Sequence, residues 1–188
     1  MSLIHFKDNY EKMMNLIDHY DFVTFVKEHE NGMDISATSE KFKMNCLHYY
    51  ASSIKKIDLS KFPPSVFIQF LSQKGIDLNS QDAEGLTAMH FSIGKTDNHL
   101  ELNNALISLK ALTSIKSKKG KTPLWMAVSE YGGEAIILKI IQNLLKSGAS
   151  LSETNNDGTT IKMLIERYKN AIIPGKEKKE WDLSFLIE

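Results

Sequence analysis

Two histidines are the residues in this sequence whose type and placement come nearest to those of a metal site. His48 and His90 occupy the same place in a segment that the chain repeats, so stacked copies of it would bring two imidazoles onto neighbouring helices. Imidazole nitrogens are common metal ligands. Trp125 and Met163 stand at the corresponding places of later copies and would interrupt any ladder of ligands. The other four histidines have no spacing typical of ligands: His5, His19, His29 and His99. We therefore predict no metal site.

Cys46, the single cysteine, falls at the first position of a predicted helix, where a helix N-terminus can lower a thiol pKa. No Cys-His-Asn arrangement surrounds it. The glycine pair in "YGGEA", residues 131–135, lacks the lysine and the Ser/Thr of a phosphate-binding loop. The carboxylates are scattered rather than paired for acid–base work. We predict no catalytic residue and no cofactor, and one cysteine excludes an internal disulfide.

A lysine cluster marks a predicted turn tip in "IKSKKGKT": Lys116, Lys118, Lys119 and Lys121. It is either a solvated loop or an electropositive surface for an acidic protein partner. Nucleic-acid binding is disfavoured because no aromatic residue is interleaved and Arg167 is the only arginine. Residues 1–36 have the opposite charge, with three lysines against seven carboxylates. This polarity could orient a partner.

The composition indicates an ordinary soluble globular protein. The 188 residues are 42% hydrophobic and 24% charged, with a formal net charge of zero. No run approaches the roughly 18 apolar residues of a transmembrane helix, and the charged start "MSLIHFKDNYEKMM" does not resemble a secretory signal. We expect a cytoplasmic protein that binds neither nucleic acid nor a membrane. Many Ile and Asn residues beside a single arginine hint at an AT-rich, bacterial genome.

A Gly-x-Thr motif recurs along the chain, in "GLTAMHFSI", "GKTPLWMAV" and "GTTIKMLIE". Its threonines are Thr87, Thr122 and Thr160, spaced 35 and 38 residues apart. A degenerate copy, "MNCLHYYAS", has Asn45 in the threonine place, 42 residues before Thr87. Each motif predicts a helix start. In "GKTPLWMAV" Thr122 can cap the helix, and Pro123 can take the first position, where a missing N–H costs nothing.

A second element recurs between these motifs, in "FVKEHENGMDISATSE" (25–40), "FLSQKGIDLNSQD" (70–82) and "LLKSGASLSETNNDG" (144–158). Each is the end of an amphipathic helix, then a glycine suited to a left-handed C-cap, then turn residues. Two short helices cannot bury their apolar stripes alone, but stacked neighbours form a continuous core. In the helix before Gly148, the residues predicted to face adjacent repeats are Ile136, Ile137, Ile140, Ile141, Leu144 and Leu145.

Motif and period together resemble the ankyrin-repeat family, whose repeats of about 33 residues start with Thr-Pro-Leu-His. "TPLW", "TAMH", "NCLH", "KGIDLNSQD" and "SGASLSETNNDG" carry the resemblance, which covers residues 10–169. It implies an all-α ankyrin-repeat solenoid, a single domain over residues 1–188 whose terminal units act as caps. About five helix-turn-helix units are expected, at 3–36, 37–79, 80–114, 115–152 and 153–188. It also implies that His48 and His90 hydrogen-bond backbone groups and tie one turn to the next.

The chain departs from the family pattern in three units. The second contains an insertion, "IKKIDLSKFPPS", in which Pro63 and Pro64 precede an outer helix expected at 65–74. The third has no clear Gly-Ala-Asp after "LISLKALTSIKSKKG". The fifth has Ile161 and Lys162 in the Pro and Leu places, and a last capping helix is predicted around 181–187.

The resemblance implies a non-catalytic protein-binding module that uses a concave face of turn tips and inner helices. By family position, the predicted partner-binding residues are Phe42, Met44, Ser52, Glu84, Leu86, Lys95, Lys118, Lys119, Lys121, Glu130, Asn156, Asp157, Arg167 and Tyr168. Phe42, Leu86 and Tyr168 are predicted anchors. Lys119 and Arg167 are predicted to steer the partner.

Three functions follow from the resemblance. The first is an immunity protein that binds and blocks a cognate bacterial toxin with an acidic surface. The second is a secreted effector or adaptor that binds a host protein. The third, more remote, is an enzyme within an ankyrin-like shell. A toxin gene immediately upstream would favour the first, and an isolated gene near secretion machinery the second. We expect the free chain to be a monomer.

Overall fold

The computed structural model describes residues 8–169 together with Leu183 and Leu186. The described residues form nine helices: α1 (Asn9–His19), α2 (Phe22–Glu30), α3 (Cys46–Ser53), α4 (Pro64–Gln73), α5 (Ala88–Phe91), α6 (Asp97–Ser108), α7 (Pro123–Glu130), α8 (Ala135–Lys146) and α9 (Ile161–Lys169). Their only β-type pairing is an isolated bridge between Thr154 and Thr160. The all-α prediction is confirmed. Apart from Leu183 and Leu186, the capping helix predicted around 181–187 lies outside the described residues.

The helices pack in two rows. The inner row is α1, α3, α5, α7 and α9, each in contact with the next. In the outer row α4 packs on α6 and α6 on α8. The α2 helix joins this row through Phe22 and Phe25, whose rings meet Phe67 and Phe70 of α4 edge to face. The order of contacts is that of a solenoid, in which each unit buries its apolar stripe against its neighbours. The division into five units stays a prediction.

Four helices of the inner row, α3, α5, α7 and α9, begin directly after the motif residues Asn45, Thr87, Thr122 and Thr160. Thr122 Oγ1 accepts the Trp125 N–H at 3.2 Å, and Pro123 is the first residue of α7. Asn45 Oδ1 accepts the His48 N–H at 3.0 Å at the start of α3. These side chains satisfy backbone donors that have no partner inside the helix. The predicted start of α7 is confirmed.

The insertion before α4 contributes to the core. Ile57 and Phe62 are buried, and the Tyr50 hydroxyl donates to the Phe62 carbonyl at 2.6 Å. The Phe22 N–H donates to the Lys61 carbonyl at 3.0 Å, which holds the insertion against α2. Pro64 then starts α4, one residue before the predicted position. The inserted segment therefore fills the space between the first two helix pairs.

The outer helices end with a residue in the left-handed conformation. Gly32, Gly75 and Gly148 have φ of 98°, 83° and 92° after α2, α4 and α8. Lys110 has φ of 64° at the corresponding place after α6. The third unit therefore makes the same turn without the glycine, which explains why its motif is hard to see in the sequence.

The buried core is continuous along the stack. On α8, Ile137, Ile140, Ile141 and Leu144 are buried as predicted, whereas Ile136 and Leu145 are half-buried at its edge. Leu183 is also buried in this core. No helix in the part of the chain that the structure describes is long and apolar enough to cross a membrane.

Candidate functional site

Four turns project from the starts of the inner helices and hydrogen-bond to one another. The Ala83 N–H donates to the Phe42 carbonyl at 2.7 Å, and the Lys118 N–H to the Glu84 carbonyl at 2.9 Å. The Asn156 N–H donates to the Lys119 carbonyl at 3.2 Å. The turns at 39–44, 80–86, 115–121 and 153–160 are thus joined into one surface, which we call the turn-tip face.

Side chains close these turns from within. Asp82 Oδ1 accepts the N–H groups of Glu84 and Leu86, both at 2.8 Å. Asn155 Oδ1 accepts the N–H groups of Asp157 and Thr159, at 3.1 and 2.9 Å. Such Asx turns hold a tip in one conformation without using a helix or a sheet. Because the turns are fixed, the side chains at their tips are presented in a defined arrangement.

A groove of about 230 Å³ opens on this face between the second and third turns. We call it the tip groove. It is lined by Glu84, Leu86, Ser117, Lys119, Lys121 and Met126. Leu86 and Met126 are half-buried hydrophobic residues in this lining, which also holds two lysines and one carboxylate. An apolar centre with charges at its edge resembles the anatomy of a protein–protein interface, which has an apolar core and a polar rim.

The four clustered lysines have different roles. Lys116 Nζ lies 3.0 Å from a Glu153 carboxylate oxygen and 3.0 Å from the Thr154 carbonyl, so it ties its turn to the next one. Lys121 Nζ lies 4.2 Å from the centroid of the Trp125 ring, a cation–π contact. Lys118 and Lys119 are exposed. No carboxylate of the described residues forms an ion pair with Lys118, Lys119 or Lys121.

A sequence model of ankyrin repeats, in three copies, matches residues 60–155, just over half of the chain. The chain belongs to the ankyrin-repeat family. No curated protein matches the chain. Ankyrin repeats are protein-binding modules and are typically not catalytic, so this chain is a protein-binding module. The turn-tip face carries part of the predicted binding set: Phe42, Met44, Glu84, Leu86, Lys118, Lys119, Lys121, Asn156 and Asp157.

The ankyrin histidines form the hydrogen bonds that the resemblance implies. His48 Nε2 donates to the Ser80 carbonyl at 2.9 Å, and His90 Nε2 to the Lys121 carbonyl at 3.1 Å. The other ring nitrogen of each accepts the N–H of its own helix cap. Burial lowers the pKa of both imidazoles, which favours the neutral form. Trp125, at the same place, donates to the Thr159 carbonyl at 3.4 Å.

No group of three His, Cys, Asp or Glu side chains in the described residues is arranged to hold a metal ion. Cys46 is fully buried, and its thiol lies 3.6 Å from the Ile35 carbonyl. Burial raises its pKa to about 12, which outweighs the effect of the helix N-terminus. The thiol is therefore protonated at neutral pH and packs as a small apolar group.

The remaining predicted residues of the first four units are spread over the surface. Phe42 is 51% exposed, with Lys41 Nζ 4.9 Å from its ring centroid. Lys95 is bound to Glu134 at 2.8 Å, and this hydrogen bond raises the Lys95 pKa. The tip groove brings together Glu84, Leu86, Lys119 and Lys121. The residues that lie outside its lining are Phe42, Met44, Ser52, Lys95, Lys118 and Glu130.

Three predicted residues of the last turn and of α9 lie at the surface. Asn156 and Asp157 are exposed at the last turn, and Asn156 Nδ2 donates to the Lys118 carbonyl at 2.7 Å. Arg167 is exposed on α9. Tyr168 belongs to α9, but its side chain lies outside the described residues, so its predicted role as an anchor stays a prediction.

Two lining residues of the tip groove, Ser117 and Met126, were missed from the sequence. Met126 lies four residues after the capping Thr122, as Phe91 does after Thr87. Both are half-buried along the inner row. This shared register could have identified Met126 from the sequence, because a side chain in that place follows the capping residue by one helical turn.

Proposed function

We propose that this ankyrin-repeat chain is a cytoplasmic, bacterial immunity protein that captures an acidic surface of a cognate toxin and blocks it. The binding surface in this proposal is the turn-tip face. The single observation that carries it is the tip groove, where half-buried Leu86 and Met126 lie beside Lys119 and Lys121. A partner that offers an apolar side chain among carboxylates would complement both features. We propose a monomer for the free chain.

Charge reversal at the tip tests how the partner is recruited. Changing Lys118, Lys119 and Lys121 together to Glu leaves the core intact, because none of the three is buried. We expect association to slow by about tenfold or more at low salt, and the salt dependence of the rate to shrink. The matched control reverses Lys27, Lys74 and Lys139, which are exposed on or next to the outer helices.

Truncation of the anchors tests what holds the complex together. Phe42→Ala, Leu86→Ala or Tyr168→Ala should speed dissociation. At a true anchor the loss of binding free energy should be about 1–2 kcal/mol or more. The measurement is surface plasmon resonance at two salt concentrations against the product of the gene immediately upstream. Unchanged kinetics in the tip variant and in all three alanine variants would place the interface elsewhere.

The immunity role is tested in cells that express that product. Co-expression of the chain should relieve the growth arrest that the product causes. Growth arrest that persists would contradict the immunity role but not the proposed binding surface.

A further inference from the structure

A second groove lies away from the turn tips, where α6 and α8 end. Its volume is about 510 Å³, larger than that of the tip groove. It is lined by Ile107 and residues 110–114, and by residues 146–148 at the end of the next outer helix. None of its lining residues belongs to the turn-tip face. We call it the edge groove.

The most exposed apolar residue of this lining is Leu112, at 52%, whereas Ile107 is half-buried and Ala111 is buried. In the other units the place of Leu112 holds Asp34, Asp77 and Ser150. Their side-chain oxygens accept the backbone N–H two residues further on, at 2.8, 2.9 and 3.2 Å. Leu112 cannot form this bond, and its own N–H donates to Asn79 Oδ1 of the preceding unit at 2.8 Å. A turn-closing polar side chain is thus replaced by an exposed apolar one.

Lys110 departs from the repeat in the same segment. Its φ of 64° is the left-handed conformation for which the other units use glycine. A side chain in that conformation is disfavoured because its Cβ crowds the neighbouring backbone. Backbone strain of this kind concentrates at functional sites. The third unit therefore keeps a lysine at a place where glycine would be more stable.

The charge of the edge groove is positive. Lys110 and Lys146 are exposed at its walls, and no carboxylate belongs to its lining. Neither lysine forms an ion pair with a carboxylate of the described residues. An exposed leucine between two such lysines is complementary to a chain that carries an apolar side chain beside carboxylates.

We propose that the edge groove is a docking site for an acidic peptide segment of a protein partner, with one apolar side chain against Leu112. Lys110 and Lys146 pair with carboxylates on either side of that apolar residue. The site is additional to the turn-tip face, so a partner can be held at two places or two partners can be bound at once. Two sites on one partner would raise the overall affinity without any new contact at the tips.

The test uses a fluorescein-labelled peptide of six glutamates and two leucines, with a lysine–leucine peptide of equal length as control. Fluorescence anisotropy should show saturable binding of the acidic peptide that weakens as salt is added. Made in the tip variant, so that peptide bound at the tip groove does not contribute, Leu112→Ser restores the turn-closing hydroxyl found at Ser150 and should weaken binding by about tenfold or more. Val66→Ser, which removes a 44% exposed residue from α4, should leave binding unchanged. The tip variant with three glutamates should still bind, which separates this site from the proposed immunity function.

Lys110→Gly gives a second measurement, with effects of opposite sign. The variant should melt at a higher temperature because the left-handed strain is removed. It should bind the acidic peptide several-fold more weakly, because one of the two charges is lost. Equal binding of the lysine–leucine peptide, no saturable binding, or full binding by Leu112→Ser would each overturn the proposal. Binding to phosphatidylserine vesicles in place of the peptide would also overturn it and assign the groove to a membrane surface.

Discussion

Three histidines whose pKa is lowered by burial couple pH to the stability of this fold: the buried His48 and His90, and the half-buried His99. His48 and His90 are neutral donors to carbonyl groups of the following turn, and protonation would place a charge in the core. Their pKa values are lowered from 6.5 because burial disfavours the charged ring. In the unfolded chain each imidazole binds a proton more readily. The free energy of unfolding therefore rises with pH from the lowered folded-state pKa values up to about pH 6.5. The stabilisation is complete above pH 6.5 and is lost as the pH falls through the folded-state values.

We therefore expect the melting temperature to fall between pH 7.5 and pH 5. His90→Gln should lower stability at pH 7.5 by about 1 kcal/mol per lost hydrogen bond. It should also make the melting temperature less dependent on pH, since one of the linked protons is gone. His19→Gln, an exposed position at the end of α1, is the control and should keep the wild-type slope. Equal slopes in all three proteins, measured by differential scanning calorimetry, would contradict this account of His90.

The turn is the element on which the contact between units depends. Gly120 has φ of 72°, and a Cβ there would lie 2.3 Å from Asn156 Oδ1 and 2.6 Å from the Asn156 nitrogen. Gly158 has φ of 75° at the corresponding place of the last turn, and nothing lies within 4 Å of its Cβ position. Gly120 is thus required both by its positive φ and by the close approach of the neighbouring turn. Gly158 is required by its positive φ alone.

Gly120→Ala should consequently cost more stability than Gly158→Ala. Both variants place a side chain in the left-handed region, at about 1–2 kcal/mol each. Only Gly120→Ala must also move the Asn156 backbone, which we expect to add about 1 kcal/mol or more. Urea unfolding of the two variants measures the difference. If Gly158→Ala proved as costly as Gly120→Ala, the turns would not be in the close contact described.

At the scale of the whole molecule, stability should be distributed unevenly along the stack. The first two helix pairs share a cluster of rings in which Phe25, Phe62 and Phe67 meet edge to face. The later pairs are held by aliphatic residues such as Ile141 and Leu144. In a solenoid each unit touches only its neighbours, so a cavity weakens nearby units most.

Phe67→Ala should destabilise the protein by about 3–5 kcal/mol. Amide hydrogen exchange should speed up most in α1–α4 and less in α7–α9. Leu144→Ala is the mirrored control, with its largest effect expected in α7–α9. Acceleration spread evenly over all helices in both variants would show that the stack unfolds as one cooperative unit.

Much of the architecture could be read from the sequence because its signals are local. The Gly-x-Thr motifs, their spacing of 35 and 38 residues and the capping role of Thr122 all concern neighbours on the chain. Family, all-α class and turn positions follow from such signals, and so does the shared register of His48 and His90. The division into five units and the partner-binding set stay predictions.

Only the tertiary structure decided which side chains meet across units. Lys116 and Lys119 are both lysines of one turn, yet Lys116 is paired with Glu153 and Lys119 lines the tip groove. Phe62 belongs to an insertion with no repeat pattern and is buried in the core. Lys110 stands where the family pattern has glycine, yet it adopts the left-handed conformation that glycine has at this turn after the other outer helices. Each outcome depends on distances between residues that lie far apart along the chain. The repeat period constrains these distances for the backbone but not for individual side chains.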